Sequence, residues 1–287
     1  MMIHEQIKFE CLTPCFCAGA NQAQAEIRPS AIRGALRWWF RCLGGSPQQE
    51  QEAFGGTQPT RASSIQVRVS DVIIKATGQL PKPAQADPLA YILYFAIISG
   101  GEGPNFGQGP RWTDQGSLGP GTTFVLRIRQ TRQLSSETGV IIRQSIEAFK
   151  HYGSIGLRIT RGLGALQAQD ITPTSRQALD ESLRQKGFAV KHRDRTYNDW
   201  KALMKEAGRV LKEEFRMKYG AGGNQKPPQA TALGNIKPSR QTSALYLRPI
   251  KVGNQLALSA FEAPHDKVLG DISKRIHSCQ ILEELDF

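Results

Sequence analysis

No stretch of this 287-residue chain approaches the roughly 18 to 20 apolar residues that span a bilayer; the longest apolar run lies around Ala90 to Ile98. Its first residues, MMIHEQIKFECL, lack the layout of a secretory signal, so no membrane partner is expected and the cytoplasm is the expected compartment. Cysteine is scarce. Cys11, Cys15, Cys17, Cys42 and Cys279 are odd in number and form no spaced disulfide framework. The Cys11/Cys15/Cys17 cluster lacks the paired elements of a zinc site, and His4, His151, His192, His265 and His277 are scattered, so neither metal nor cofactor is expected. Acidic residues are also in short supply: 25 Asp and Glu against 37 Lys and Arg leave a formal net charge of +12, which calls for an acidic partner, most commonly nucleic acid, with a membrane surface as its rival. Hydrophobic residues, at 39 %, suffice for a buried globular core.

The charge is concentrated where acids are missing. Ile27 to Arg41 reads IRPSAIRGALRWWFR, and no carboxylate lies between Arg28 and Gly45. At about 100° per residue, Ile32, Ala35, Leu36, Trp39 and Leu43 form a core-facing stripe. Arg33, Arg37 and Arg41 line up at i, i+4 and i+8 on the other side, shared with Ser30 and Gly34, and Trp38 stands at its border. Pro29 suits the first helical turn and Gly44-Gly45 a left-handed end. Three aligned, unpaired arginines with no internal counter-ion are expected to need an outside anion, the plainer alternative being a solvated basic face.

Alternation predicts strands over Ile3 to Leu12, Ile65 to Lys75, Thr122 to Gln130 and Gly164 to Ile171. Helical spacing through Val140, Ile141, Ser145, Ile146 and Phe149 predicts a second helix over Glu137 to Tyr152. The order is βαββαβ, so the expected class is α+β, a ferredoxin-like domain over residues 1–172. Residues 76–121 interrupt it as a Gly/Pro-rich insertion, apolar over Pro88 to Ser99, in which Arg111-Trp112 pairs a cation with a stacking ring. Residues 173–287 are expected to form a second, degenerate ferredoxin-like half. It contains an amphipathic helix from Asp199 to Tyr219, with Lys201, Lys205, Arg209, Lys212 and Arg216 on one flank and Glu206 and Glu213 on the other. A mobile loop is expected over 220–241, then a hairpin about Gly253-Asn254 and a last helix over Pro264 to Cys279.

The second notable constellation is Gly153-Ser-Ile-Gly-Leu-Arg158-Ile-Thr-Arg161-Gly162-Leu-Gly164. Glycines allow close backbone approach to a phosphate and arginines supply forked donors, although tight turns needing positive φ use the same residues. In a βαββαβ fold this loop and the arginine helix can clamp one phosphate backbone. For acid–base chemistry only His151, Asp87 and Asp114 offer themselves, and position alone recommends them; a binding protein without catalysis is expected.

The strings EIRPSAIRGALRWWFR, Phe54-Gly55-Gly56 and TRGLGAL resemble the RAMP superfamily of CRISPR-associated proteins, specifically over Glu26 to Gly56 and over Gly153 to Ala165. The first string looks most like the capping subunit of type III-B Cmr RNA-targeting effectors. The resemblance implies ferredoxin-like domains that bind guide RNA through the first helix, the glycine loop and inserted hairpins, near the guide's 3′ end, in antiviral defence. It implies guide RNA, target RNA and other RAMP subunits as partners. Carried onto this chain, RNA contacts would come from Arg28, Ser30, Arg33, Arg37 and Arg41, with bordering Trp38, and from Arg158, Arg161 and Gly162 to Gly164 in the loop. A guide-processing, metal-independent endoribonuclease of the same superfamily is the rival, and a basic protein-interaction module the third reading.

Overall fold

The structure is a computed structural model that describes residues 2–21, 24–78, 80–81, 86–97, 117–216, 233, 242–264, 281–283 and 287. Strand β1 (His4–Cys11) leads to helix α1 (Pro29–Cys42), which starts on a proline and ends with Gly44 at φ 100°. A short helix α2 (Pro47–Phe54) and a two-residue hairpin, β2 (Gly56–Thr57) with β3 (Thr60–Arg61), precede strand β4 (Ile65–Ile73). Helix α3 (Pro88–Ile97), strand β5 (Thr123–Gln130), helix α4 (Ser136–Tyr152) and strand β6 (Leu166–Ala168) follow. The four long-range strands make one antiparallel sheet in the order β4-β5-β1-β6.

The remainder runs α5 (Pro173–Gln185), β7 (Ala189–Tyr197), α6 (Trp200–Arg209) continued by a π-helical stretch Val210–Arg216, then the hairpin β8 (Leu245–Val252) and β9 (Gln255–Glu262). Its antiparallel sheet has the order β7-β9-β8. The fold is thus mixed α and β with antiparallel sheets. Helices α2, α3 and α5, the β2–β3 hairpin and strand β7 are additions to the expected elements. Helices α2 and α5 begin with reciprocal caps, Ser46 with Gln49 and Thr172 with Ser175. The expected 220–241 loop and 264–279 helix lie almost wholly outside the described residues.

Alternating strand residues explain the layering. Ile7, Phe9, Phe124, Leu126 and Ile128 point to one face of the first sheet and are at most 5 % exposed. That face receives α1 through Ile32 and Leu36 and α4 through Ile142, Ile146 and Phe149. Val140, expected on the inner stripe of α4, is instead exposed, and Ile142 takes the inward place. Beyond the helices lies the second sheet: Trp38 and Trp39 of α1 meet Tyr246 and Phe261 at ring-centroid distances of 4.9 and 5.1 Å. The far side of that sheet packs on α6 and on α3, which the insertion delivers to the second half of the chain. One continuous core therefore crosses residue 172.

Candidate nucleic-acid interface

Helix α1 has two polar-capable faces, and the structure uses them differently. The row Arg33, Arg37 and Arg41 lies against α2. Glu50, only 8 % exposed, holds Arg37 at 2.6 Å and Arg41 at 2.9 Å. Arg33 donates to the carbonyl of Phe54, the last residue of α2, and so caps that helix's negative end. The expectation of an arginine row without an internal counter-ion is therefore corrected: one carboxylate from outside the acid-free window serves two of the three guanidinium groups. Arg28, at the N-terminal end of α1, pairs with Glu26 at 3.3 Å, both about half exposed. Ser30 is exposed beside it.

Roughly a quarter-turn further round the helix, Ala31, Gly34, Ala35 and Trp38 face a cavity of about 370 Å³ with Arg41 at its edge. Its opposite wall is the glycine loop, through Ser154, Ile155, Gly156 and Ile159, and Tyr246 and Arg248 of β8 complete it. The loop and the arginine-bearing helix thus meet as expected, although on the small-residue face rather than the arginine row. The stripe Ala31, Gly34, Ala35, Trp38 at i, i+3, i+4 and i+7 was the sequence signal for it. Gly34 is exposed, and a Cβ there would meet nothing within 4 Å.

Within the loop the glycines build shape rather than contact. Gly162 and Gly164 are buried with φ of 88° and 63°, and a side chain at Gly164 would run into the carbonyl of Ile155. Their backbone is tied to strand-end groups: Thr13 Oγ1 donates to the Gly162 carbonyl at 2.8 Å, and Gly164 N donates to Pro14 O at 2.9 Å. Arg158 is half-buried in the left-handed region at φ 58°. Arg161 is half-buried with its guanidinium 5.0 Å from the ring centre of Tyr91 on α3.

Sequence reasoning missed the cation that holds this site together. Arg248 is 3 % exposed and donates to the carbonyls of Tyr152 at 3.0 Å, Leu247 at 3.1 Å and Ile159. Its guanidinium also stacks over Tyr246 and Phe261, 4.9 and 5.3 Å from the ring centres. Burial pulls its pKa down to about 10, against an opposing pull from Tyr246, so it remains charged at neutral pH. No carboxylate pairs with it among the described residues. In the sequence it sits in the middle of an otherwise largely apolar strand, LYLRPIKV, which was its only signal.

The acid–base candidates sit elsewhere. His151 is 2 % exposed, and burial, with the charges of Arg176 and Lys150, lowers its pKa to about 4. It lines neither wall of the cavity. Asp87 accepts from Leu89 N at 2.9 Å as the opening of α3 and pairs with Lys205 at 3.2 Å; the Leu89 hydrogen bond holds its carboxyl below the usual range. Asp114, Arg111 and Trp112 lie outside the described residues. The basic flank expected on α6 is mixed with acids: Arg209 pairs with Glu206, Glu213 and Glu214, and Arg193 with Glu206 and Glu214. The charge sorting expected along that helix is thereby corrected. Cys11, Cys15, Cys17 and Cys42 are free thiols in the core.

Comparison with known proteins gives the class. The sequence profile of the RAMP superfamily matches residues 8–167, more than half of the chain, and the chain belongs to that superfamily. Two curated relatives come from Pyrococcus furiosus. The chain is 31 % identical to CRISPR system Cmr subunit Cmr1-2 over 72 residues, which is 22 % of this chain and 38 % of that one. It is 25 % identical to Cmr subunit Cmr1-1 over 176 residues, 58 % of this chain and 48 % of the relative. The matches thus span less than half the length of either relative. Among solved structures, the apo crystal structure of Cmr1 from Pyrococcus furiosus covers 91 % of this chain and 88 % of its own, with TM-score 0.53 and 17 % identity. A chain of the type III-B Cmr-beta complex bound to cognate target RNA matches with TM-score 0.51 and 11 % identity, over 91 % of this chain and 94 % of its own. At those identities the likeness is one of fold.

Proposed function

We propose that this chain is a guide-RNA-binding subunit of a type III-B effector complex, without catalytic activity of its own, and that guide backbone near the 3′ end runs through the cavity between α1 and the glycine loop. The chemistry of that cavity carries the reading. Arg248 lies in its wall as a buried cation without a carboxylate partner among the described residues, and Arg41 stands at the rim. The first turn of α1 has no acidic residue and no side-chain cap, and although the Ala31 and Ile32 N–H groups donate to the Arg28 carbonyl, its positive dipole end favours an anion. None of the lining residues is Asp, Glu, His or Lys, which suits holding a strand rather than cutting it.

Arg28 and Ser30 extend the track at the mouth of α1, Arg158 and Arg161 flank it on the loop side, and Trp38 offers a ring. Arg37 and Arg41 contribute the positive charge that Glu50 leaves over, while Arg33, Gly162 and Gly164 act by shaping the walls. We read the strand order β4-β5-β1-β6 within β-α-β-β-α-β as ferredoxin-like, and residues 173–287 as a degenerate second half. The curated relatives, described as Cmr subunits, and the neighbour bound to cognate target RNA support guide and target RNA and other RAMP subunits as partners.

Gly34→Glu tests the site, because the new carboxylate enters open space. The variant should keep its circular dichroism and bind fluorescein-labelled single-stranded RNA about tenfold or more weakly, with Gly34→Gln close to the parent. A folded Gly34→Glu protein that binds like the parent overturns the reading. Incubation with repeat RNA in EDTA should leave the RNA intact; discrete products would favour the endoribonuclease.

A further inference from the structure

The first sheet has a second face. His4, Gln6 and Lys8 of β1, Arg127 and Arg129 of β5, and Gln66 and Arg68 of β4 are all exposed on the side opposite α1 and α4. The register sets Arg68 directly opposite Arg127, which in turn faces Gln6, and sets Gln66 and His4 on either side of Arg129. Like charges directly opposite each other in an antiparallel pair repel, and Arg129, two residues along the same strand face, adds to the field.

The described residues offer little to relieve it. Lys8, Arg68 and Arg129 have no ion-pair partner among them, and Arg127 meets only Asp71, at 3.4 Å with a 63 % exposed side chain. Glu10, at the end of the face, is taken by Lys251 at 2.8 Å. Nothing in stability asks for such an arrangement. A ligand carrying several oxygen acceptors would relieve it.

We propose that this outer sheet face binds the ribose–phosphate backbone of single-stranded RNA, as a track separate from the α1 cavity. It takes the ligand class from the preceding reading but uses none of its residues. Its apolar residues are few, Val125 half-buried opposite Lys8 and Ile73 exposed beside Thr123 at one end, while charge fills the middle, where the core of a protein partner's interface is depleted of it. It offers forked guanidinium donors suited to phosphate oxygens, spaced by Gln6, Gln66, Ser70 and Thr123, which can hydrogen-bond to phosphate or 2′-hydroxyl groups. With no Phe, Tyr or Trp at these positions, bases are not stacked, so the contact is to backbone and insensitive to sequence.

The test compares the full-length parent, Arg68→Gln/Arg127→Gln/Arg129→Gln and Gly34→Glu by anisotropy with a labelled single strand at several salt concentrations. The triple variant should bind about tenfold or more weakly, and its log–log salt slope should flatten by about two, at roughly 0.7 per lost single-strand phosphate contact. An unchanged affinity and slope in a folded triple variant overturns the track, whatever Gly34→Glu does. Loss in the triple variant with none in Gly34→Glu supports the track and overturns the cavity instead. Should the triple variant not fold, p-benzoylphenylalanine placed at Gln6 must crosslink the RNA; failure to do so sinks the proposal. Unaltered RNA binding together with lost binding of polyglutamate would assign the face to an acidic protein and likewise overturn it.

Discussion

The arginines of α1 and those of the outer sheet face differ in what the fold has done with them. On α1, Arg33 ends against the Phe54 carbonyl and Arg37 and Arg41 share the buried Glu50. On the sheet, Arg68 and Arg129 have no ion-pair partner among the described residues and Arg127 has one that is exposed. A helix is read for its own i,i+4 neighbours, and α1 shows none. Its counter-ion arrives on α2, nine to thirteen residues from the arginines it serves. The lesson is that an acid-free window locates uncompensated charge only when no other element folds back across it. In a sheet the opposite strand is the neighbour, and across Arg127 it supplies another arginine.

The largest effect that would sharpen this contrast is on stability. Replacing Arg37 and Arg41 together by Gln strands Glu50 in a buried position, and urea denaturation should show a loss of about 3 kcal/mol. The triple Gln variant on the sheet should change stability by less than about 0.5 kcal/mol. Equal losses in the two variants would erase the distinction.

Acidification probes the buried charges next. His151 is held neutral, with a folded pKa near 4 against an ordinary 6.5, so the unfolded chain binds the extra proton first. Its contribution is complete above about pH 6.5 and is lost as the pH falls toward 4. At about 1.4 kcal/mol per pH unit this amounts to about 3 kcal/mol. His151→Gln should flatten the stability curve over that window, and a curve of unchanged steepness would place His151 outside the core. A smaller effect is expected from Glu50→Gln: about 1 kcal/mol less stable, yet binding RNA about two- to threefold more tightly as Arg37 and Arg41 are released. Weaker binding would mean that those arginines act only through the geometry Glu50 imposes.

Much of the architecture was legible because burial on one side writes a period into a strand or helix. β1, α1, β4, β5, α4, α6 and the β8–β9 hairpin all carry it. α2 does not: PQQEQEAF has no long apolar stripe, and only the Ser46–Gln49 cap announces it. β7, AVKHRDRTY, sits at the edge of its sheet and keeps charge along much of its length, so its alternation is masked. The candidate site was half legible. The sequence showed which two segments would come together, but not that the small-residue face of α1 would line the cavity, or that Arg248 from β8 would stand in its wall.

What the amino-acid sequence determined alone is local and periodic: the six principal elements of the first half in their order, the basic character, and the family strings in α1 and the glycine loop. Which charges remain available to a ligand was decided only by tertiary structure. Pairing is a matter of a few ångströms between side chains that are distant along the chain, and Glu50, Phe54, Arg248 and the opposition of Arg68 to Arg127 acquire those distances only when helices and strands are packed together.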